Sequence, residues 1–195
     1  MNLICGVDEA GRGPVLGPLV MAGVLIDEKN ESILKNLGVK DSKLLTKGKR
    51  DELFKKIITL VKGYEIISIT ASEIDDALLS ETMNLNILEA YKTADILNKL
   101  NPDKAIIDLP EKNQERYQGY IRKKLKNKEM NLITEHKADF NYPSVAAASI
   151  LAKVTRDRYI DFLKEQIGID FGSGYMTDEK TTKFLEKHWN NSKVN

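Results

Sequence analysis

Residues 3–14, LICGVDEAGRGP, pass from an apolar run through two acids into a glycine-rich segment. The run from Leu3 to Val7 has the length and composition of a buried strand. Charges are costly to bury unless they are paired or bound to metal, so Asp8 and Glu9 should stand at the rim of a sheet, where the sites of α/β proteins are built. The segment that follows predicts a backbone that can approach a ligand closely, with Arg12 projecting from it.

The glycines of this segment form neither common nucleotide-binding motif. A dinucleotide fingerprint requires G-x-G-x-x-G at the start of a helix, but Gly11, Gly13 and Gly17 are spaced one residue too long. A P-loop requires Gly-Lys followed by Ser or Thr, and the sequence has no such tripeptide. Both motifs are therefore excluded.

Apolar runs and helical periodicity alternate along the rest of the chain. Further strands are predicted at Leu19–Ile26, Tyr64–Thr70, Lys104–Leu109 and Met130–His136. Helices are predicted from a Thr46 cap through residues 53–61, from a Ser72 cap, and over Asn84–Leu100, Glu115–Lys126, Ser144–Gln166 and Asp178–Trp189. Two early strands followed by helix-separated strands indicate an α/β fold, a mixed sheet with helices on both faces.

Acids recur where predicted strands end. Asp108 closes the fourth strand and Asp139 lies just past the fifth, as Asp8 and Glu9 follow the first. A single acid of this kind is better explained as a turn residue, whereas recurrence at several strand ends favours a cluster as much as it favours turns. Clustered carboxylates repel each other, and hard cations such as Mg²⁺ or Mn²⁺ relieve the repulsion. With one Cys and two His, the chain is too poor in soft ligands for a zinc site.

Composition limits the class of protein. The 195 residues are 42% hydrophobic and 30% charged, which suits one domain or a domain with a small appendage. The single cysteine, Cys5, excludes an internal disulfide framework, and we see neither a signal peptide nor a membrane span, so we expect a soluble, cytoplasmic protein. The net charge of +1 decides nothing about nucleic acid, and each lysine cluster taken alone is better explained as a solvated helix face.

Six motifs, in order along nearly the whole chain, resemble the signature of ribonuclease HII, closest to archaeal members. They are Gly6–Pro14 (GVDEAGRGP), Asp41–Leu44 (DSKL), Met83–Asn86 (MNLN), His136–Asp139 (HKAD), Ala147–Asp157 (AASILAKVTRD) and Gly172–Tyr175 (GSGY). The resemblance implies a ribonuclease H-like fold, a five-stranded mixed sheet flanked by helices with a small C-terminal helical part. Residues 1–167 would form the catalytic domain and residues 168–195 a substrate-contacting loop and helix.

The resemblance also implies an activity and its residues. The enzyme would hydrolyse the RNA strand of RNA/DNA hybrids and cut 5′ of ribonucleotides embedded in duplex DNA, with two Mg²⁺ or Mn²⁺ ions, leaving 3′-hydroxyl and 5′-phosphate ends. Roles in DNA replication and repair would follow. The four catalytic, metal-binding acids would be Asp8, Glu9, Asp108 and Asp139, with Asp157 as an auxiliary acid. Substrate-binding residues would be Gly11, Arg12, Gly13, Lys43, Asn86 and Tyr175.

Each substrate-binding group would have its own task. Gly11, Arg12 and Gly13 would sense the 2′-hydroxyl that distinguishes RNA from DNA. Tyr175 would stack on the deoxyribose that follows the ribonucleotide, although a tyrosine in a glycine loop is also often a packing anchor. Lys43 and Asn86 would contact phosphates. The family usually continues GSGY with Pro, and Met176 in its place predicts a less rigid loop.

Two other function classes compete with this interpretation. A hybrid-binding module without catalysis is disfavoured because all four acids are present. Another nuclease of the same fold, such as a junction resolvase or a type 3 ribonuclease H, is disfavoured by GRG and GSGY; we also expect a type 3 enzyme to carry an N-terminal substrate-binding domain. We expect a monomer. No tail motif for a sliding clamp is evident, so recruitment by a clamp stays open.

Overall fold

Residues 2–39 and 45–189 are described by the computed structural model, in which the predicted strands form one mixed sheet. The strands are β1 (Leu3–Ala10), β2 (Leu19–Asp27), β3 (Gly63–Ile69), β4 (Lys104–Asp108) and β5 (Asn131–Glu135). Their order is β3-β2-β1-β4-β5, with β2 antiparallel to both neighbours and β4 parallel to β1 and β5. The chain stretch that opens the sequence therefore forms the central strand.

Helices follow the strands closely. They are α1 (Glu31–Asn36), α2 (Lys47–Leu60), α3 (Ala71–Leu79), α4 (Leu85–Leu100), α5 (Gln114–Lys124), α6 (Ala138–Asn141), α7 (Pro143–Ile167) and α8 (Glu179–His188). The predicted Thr46 cap of α2 is confirmed, since its side chain accepts the Lys49 backbone N–H. Asn84 caps α4 in the same way, by accepting the backbone N–H of Ile87.

The predicted cap at Ser72 is wrong. Helix α3 begins at Ala71, and Thr70 accepts the Glu73 backbone N–H while the Glu73 carboxylate accepts the Thr70 N–H. This reciprocal capping box satisfies two donors at once, and it places Ser72 inside the first turn of the helix. The short helices α1 and α6 gave no periodic signal because six and four residues are too few to show one.

The two faces of the sheet pack against different helices. Cys5 and Val7 of β1 are buried with residues of α4 and α5, whereas Ile4 is buried with residues of α7 and α2. Gly6 faces α7 so closely that an added Cβ would lie 2.2 Å from the Ser144 backbone carbon. The alanine-rich helix α7 therefore lies directly on the central strand, which keeps that strand rigid.

The architecture agrees with the predicted α/β class. A mixed sheet of five strands has helices on both faces, and α8 follows at the C-terminal end of the described residues. Within residues 2–39 and 45–189, no helix is both long and apolar enough to cross a membrane. The sheet places the C-terminal ends of β1, β4 and β5 along one edge, and the candidate site lies there.

Candidate active site

Three of the four predicted acids reach the same edge of the sheet from different elements. The parallel pairing of β1 with β4 ends at Val7 and Ile107, so the next residues, Asp8 and Asp108, are level with each other. Asp139 lies in α6, a few residues after the end of β5. Asp8 and Asp139 are each 5% exposed, so both carboxyls are buried. We call Asp8, Glu9, Asp108 and Asp139 the acidic edge.

Local hydrogen bonds fix two of these carboxyls. Asp8 Oδ1 accepts the backbone N–H of Glu9 at 2.7 Å, and the side chain of Ser149 on α7 also hydrogen-bonds to Asp8. Asp108 Oδ1 accepts the backbone N–H of Ala138 at 2.9 Å, which ties the start of α6 to the end of β4. The strand register and these bonds set the positions of the carboxyls before any ligand is present.

Burial and mutual repulsion raise the pKa of Asp8 to about 7. Burial is the larger cause, and the charge on Asp108 is the next, with a smaller contribution from Asp139. The hydrogen bonds from Ser149 and Glu9 act in the opposite direction. Asp108 and Asp139 therefore lie close enough to Asp8 for their charges to disfavour its ionisation.

Glu9 connects the acidic edge to the opposite face of the sheet, because side chains of a strand alternate between faces. Its pKa is raised well above the ordinary value, first by burial and then by the charges of Asp8, Glu89 and Asp108. Arg12 is the one attractive partner among the main contributions, and it lowers the pKa. Glu9 thus interacts both with other carboxyls of the acidic edge and with Arg12 in the loop that follows β1.

The acidic edge suits a hard divalent cation by its donor chemistry. All its side-chain donors are carboxylate oxygens, which Mg²⁺ and Mn²⁺ prefer, and a cation would relieve the repulsion that raises the pKa of Asp8. In the part of the chain that the structure describes, no group of three or more His, Cys, Asp or Glu side chains is already arranged as a metal site. The fit is one of charge and donor type.

A cavity of about 350 Å³ opens beside Glu9. Its lining comes from the end of β1, the loop after it, helix α7 and the loop before α8: Glu9, Ala10, Gly11, Arg12, Ser149, Lys153 and Tyr175. The structure therefore brings Gly11, Arg12 and Tyr175 together with one of the four predicted catalytic acids. Gly13 does not line this cavity; it is exposed, with φ +106° and open space around its Cα.

Arg12 is held from the α4 side of the cavity. Its Nε donates to Glu89 Oε1 at 2.9 Å, and its Nη2 donates to Asn86 Oδ1 at 2.6 Å. Asn86, predicted as a phosphate contact, is thus in the same cluster as the predicted 2′-hydroxyl sensor. These two bonds fix the direction of the guanidinium, whose side chain remains 36% exposed.

Sequence reasoning missed Glu89 as a functional residue. Its side chain is fully buried, and its pKa is raised by burial although Arg12 acts against the rise. Glu89 lies in α4, three residues after the MNLN motif, and an acid within the apolar face of a helix is a signal that could have identified it. Ser149 and Lys153 carried no separate signal, because they became relevant only when α7 was placed over β1.

Two distant loops join next to the cavity. We call Gly11–Gly17 the first loop and Gly172–Tyr175 the second loop. The backbone N–H groups of Val15 and Leu16 both donate to Gly174 O, at 2.8 Å and 3.2 Å. Tyr175 is therefore positioned against the first loop by main-chain bonds between segments more than 150 residues apart in sequence.

One predicted residue, Asp157, is not part of this assembly. Asp157 pairs with Arg50 at 3.2 Å and with Lys153 at 3.6 Å, and it lines the neighbouring cleft instead of the cavity beside Glu9. Lys43 lies outside the described residues. The lower rigidity that Met176 predicts for the loop of Tyr175 stays a prediction. The Met176 side chain is 54% exposed.

Comparison with known proteins supports the resemblance. Residues 5–195 match the family model described as Ribonuclease HII. The ribonuclease HII of Pyrococcus horikoshii is 47% identical over 188 residues, covering 95% of this chain and 83% of that protein. The ribonuclease HII of Nanoarchaeum equitans is 50% identical over 188 residues, covering 94% of this chain and 86% of that protein. Relatives at 41–50% identity are archaeal, as the resemblance implied.

Solved structures confirm the predicted ribonuclease H-like fold. The ribonuclease H2 of Pyrococcus horikoshii OT3 superposes with a TM-score of 0.87 at 46% identity, covering 96% of this chain and 87% of that one. The RNase HII of Archaeoglobus fulgidus, solved in complex with PCNA, gives 0.89 at 38% identity, covering 99% and 91%. Bst-RNase HIII, at 24% identity and a TM-score of 0.77, shares the fold alone.

Proposed function

Because this chain belongs to the ribonuclease HII family and is an endoribonuclease, we propose that it hydrolyses the RNA strand of RNA/DNA hybrids and cuts 5′ of ribonucleotides embedded in duplex DNA. The products would carry 3′-hydroxyl and 5′-phosphate ends. The observation that carries the proposal is the cavity in which Glu9 faces Gly11, Arg12 and Tyr175. The cavity is therefore lined both by an acid suited to binding metal and by groups suited to contacting a sugar.

Asp8, Glu9, Asp108 and Asp139 would hold two Mg²⁺ or Mn²⁺ ions. Two such ions supply a water nucleophile that is ionised at neutral pH and charge stabilisation for the leaving 3′ oxygen. The chain's own contribution is to keep the carboxyls in place, through the β1–β4 register, the Ser149 bond to Asp8 and the Ala138 bond to Asp108. Bst-RNase HIII, which shares the fold, was solved in complex with Mn²⁺.

Selectivity would come from the two loops. Gly11, Arg12 and Gly13 would test for the 2′-hydroxyl, with Arg12 aimed by its bonds to Glu89 and Asn86. Tyr175 would stack on the next deoxyribose, from a position fixed by the bonds between Gly174 O and the first loop. Asn86 and Lys43 would contact phosphates, which position the backbone without reading bases. Substrate choice would then be independent of base sequence.

A contact between the second loop and α8 supports the proposed division of the chain. Residues 1–167 would provide the acidic edge, and residues 168–195 would provide the second loop and the helix that supports it. Gly174 N–H donates to Thr181 Oγ1 of α8 at 3.0 Å, which connects that helix to the loop. We propose that the enzyme acts as a monomer. A sliding clamp is a second partner to test by co-elution, since the Archaeoglobus relative was solved with PCNA.

The deciding experiment compares three duplexes of one length: all-DNA, DNA with a single ribonucleotide, and an RNA/DNA hybrid. With Mg²⁺ or Mn²⁺, we expect a nick on the 5′ side of the single ribonucleotide, cleavage of the hybrid, and no cutting of all-DNA. Denaturing gels and ligation assays identify the ends. Cleavage of the hybrid without nicking at the single ribonucleotide would contradict the type 2 specificity. Binding without any cleavage would favour the non-catalytic module.

A further inference from the structure

Arg156 is a buried cation on α7 whose role the acidic edge does not explain. It is 3% exposed, and the pKa of its guanidinium is lowered by that burial. A buried guanidinium is costly unless hydrogen bonds compensate for its lost hydration. The Nη2 group donates to Leu16 O at 3.1 Å and to Ser173 O at 3.2 Å. One nitrogen thus bonds to the backbone of both loops.

The glycines of both loops pack against the same guanidinium. Gly11 has φ +95°, and an added Cβ would lie 2.5 Å from Arg156 Nε. Gly174 has φ +85°, and an added Cβ would lie 3.2 Å from Arg156 Nη2. Both positions need glycine for their backbone conformation and for the closeness of this contact. The guanidinium therefore limits how near each loop approaches α7, and so how near the loops approach each other.

The same group contacts the side chain that would stack on the substrate. The guanidinium carbon of Arg156 lies 4.9 Å from the centre of the Tyr175 ring, within the range of a cation–π interaction. Tyr175 is partly exposed in the cavity, whereas Arg156 is absent from its lining. Arg156 lines the neighbouring cleft, which Tyr175 also borders, so it contacts the ring from the side away from Glu9's cavity.

We propose that Arg156 is a positioning residue for substrate choice: it sets the spacing between Gly11–Gly13 and Tyr175, and hence the geometry in which a ribonucleotide followed by a deoxyribonucleotide is recognised. This inference rests on the proposed function. A planar guanidinium suits this position, because the group lies against an aromatic ring while its Nη2 bonds two carbonyls. A lysine at this position would keep the charge and lose the planar group.

The test uses Arg156→Lys with two substrates, the single-ribonucleotide duplex and the RNA/DNA hybrid, and measures kcat and KM on each. Only the first substrate offers a deoxyribose after every cleavable ribonucleotide, so only there is the Tyr175 position fully used. We expect kcat/KM on the single-ribonucleotide duplex to fall about tenfold more than on the hybrid, about the value of one charged hydrogen-bond contact. A purely structural role would lower both values equally.

Arg158→Lys is the matched control on the same helix. Arg158 donates to Asp51 at 2.7 Å and lies 4.5 Å from the Phe54 ring, so it makes the same types of contact away from both loops. We expect its ratio of the two activities to equal that of the wild type. A double-mutant cycle with Tyr175→Leu should be non-additive, since both changes disturb one contact.

The outcomes distinguish a failure of the proposed function from a failure of the positioning role of Arg156. If the wild type does not nick the single-ribonucleotide duplex, the proposed function fails before any variant is considered. If it does, and folded Arg156→Lys loses both activities equally or neither, the positioning role is overturned. Should Arg156→Lys not fold, Gly174→Ala decides, because its added Cβ would lie 2.4 Å from Leu16 O and would force the loops apart. An unchanged activity ratio there would also overturn the proposal.

Discussion

The acidic edge, through Glu9, and the pair of loops border one cavity, yet different forces assemble them. Strand register puts Asp8 beside Asp108, and each is held by a backbone N–H from a neighbouring residue or turn. The loops have no register of their own. They are joined by two bonds to Gly174 O and by the buried guanidinium of Arg156.

Under the proposed function, this difference separates the residues of the chemical step from those of substrate selection. The carboxyls of the acidic edge are held close together by the sheet, and their mutual repulsion contributes to the raised pKa of Asp8. Substitutions there should affect the chemical step and the binding of cations. The loops depend on a few polar contacts at the surface of that frame. Changes there should alter which substrate is cut while the chemical apparatus stays intact.

The largest effect is expected from Asp8→Asn. Removal of one proposed negative ligand should reduce nicking of the single-ribonucleotide duplex by at least about a thousandfold, because the proposed two-metal hydrolysis depends on the full carboxylate set. Duplex binding, measured by mobility shift, should persist, since the loops are unchanged. Asp95→Asn, an exposed acid on α4, is the control and should keep wild-type activity. Activity retained by Asp8→Asn would remove this residue from the acidic edge's function.

Arg12→Ala should have the next largest effect, and its two consequences can be separated. We expect a loss of about 10–100-fold in kcat/KM, because the guanidinium that we propose contacts the substrate is lost. The variant should also melt at a lower temperature, since Glu89 is then buried without its cationic partner.

The double variant Arg12→Ala/Glu89→Gln tests that separation. A glutamine at this position has no charge to bury, so the melting temperature should recover towards that of the wild type. Cleavage should stay at the level of the single variant. A recovery of cleavage together with stability would mean that Arg12 serves the fold and does not contact the substrate.

Stability should depend on pH through the acidic edge. The folded-state pKa of Asp8, about 7, exceeds its ordinary value of 3.8, so the folded protein binds more protons than the unfolded chain between those values. The free energy of unfolding in a chelator should therefore fall as pH rises from 4 to 7, by about 1 kcal/mol or more, since a tenfold change in acidity is worth about 1.4 kcal/mol.

Bound cations and the substitution of Asp8 should both weaken this dependence of stability on pH. Mg²⁺ or Mn²⁺ should raise the melting temperature most at the upper end of that pH window, where the carboxylates are ionised and repel each other. Asp8→Asn should flatten the slope without removing it, because the pKa of Glu9 is raised as well. Urea unfolding at pH 5 and pH 7.5 measures the slope, and equal stabilities for the metal-free wild type would refute the electrostatic account.

The comparison also explains how far the sequence could be interpreted. Acids at the ends of apolar strands were visible, because burial of the strand and exposure of its end follow from composition alone. The sequence assigns no role to Glu89 or Arg156, because their roles arise from contacts with the first loop. Glu89 accepts a hydrogen bond from Arg12, 77 residues away in sequence, and Arg156 donates one to Leu16, 140 residues away. Tertiary packing, which local patterns do not encode, decides such residues.

Substitution of Asp157 is expected to have the smallest effect, and it tests whether the acidic edge includes a fifth carboxyl. It is paired with Arg50 and Lys153 at partly exposed positions, and such pairs contribute about 1 kcal/mol or less. Asp157→Asn should therefore keep cleavage within about threefold of the wild type and lower the melting temperature only slightly. The control is Asp161→Asn, one turn further along α7, which pairs with Lys47 in the same cleft.

An auxiliary acid would behave differently in the same measurements. Loss of a group that transfers protons or holds an ion during the reaction would lower kcat on both substrates and change its dependence on pH, while KM and melting temperature would stay nearly constant. Asp157→Asn with such a profile, and Asp161→Asn without it, would extend the acidic edge to a fifth carboxyl. Equal, small effects in both variants would confine the chemistry to Asp8, Glu9, Asp108 and Asp139, and leave Asp157 as part of the cleft that borders the second loop.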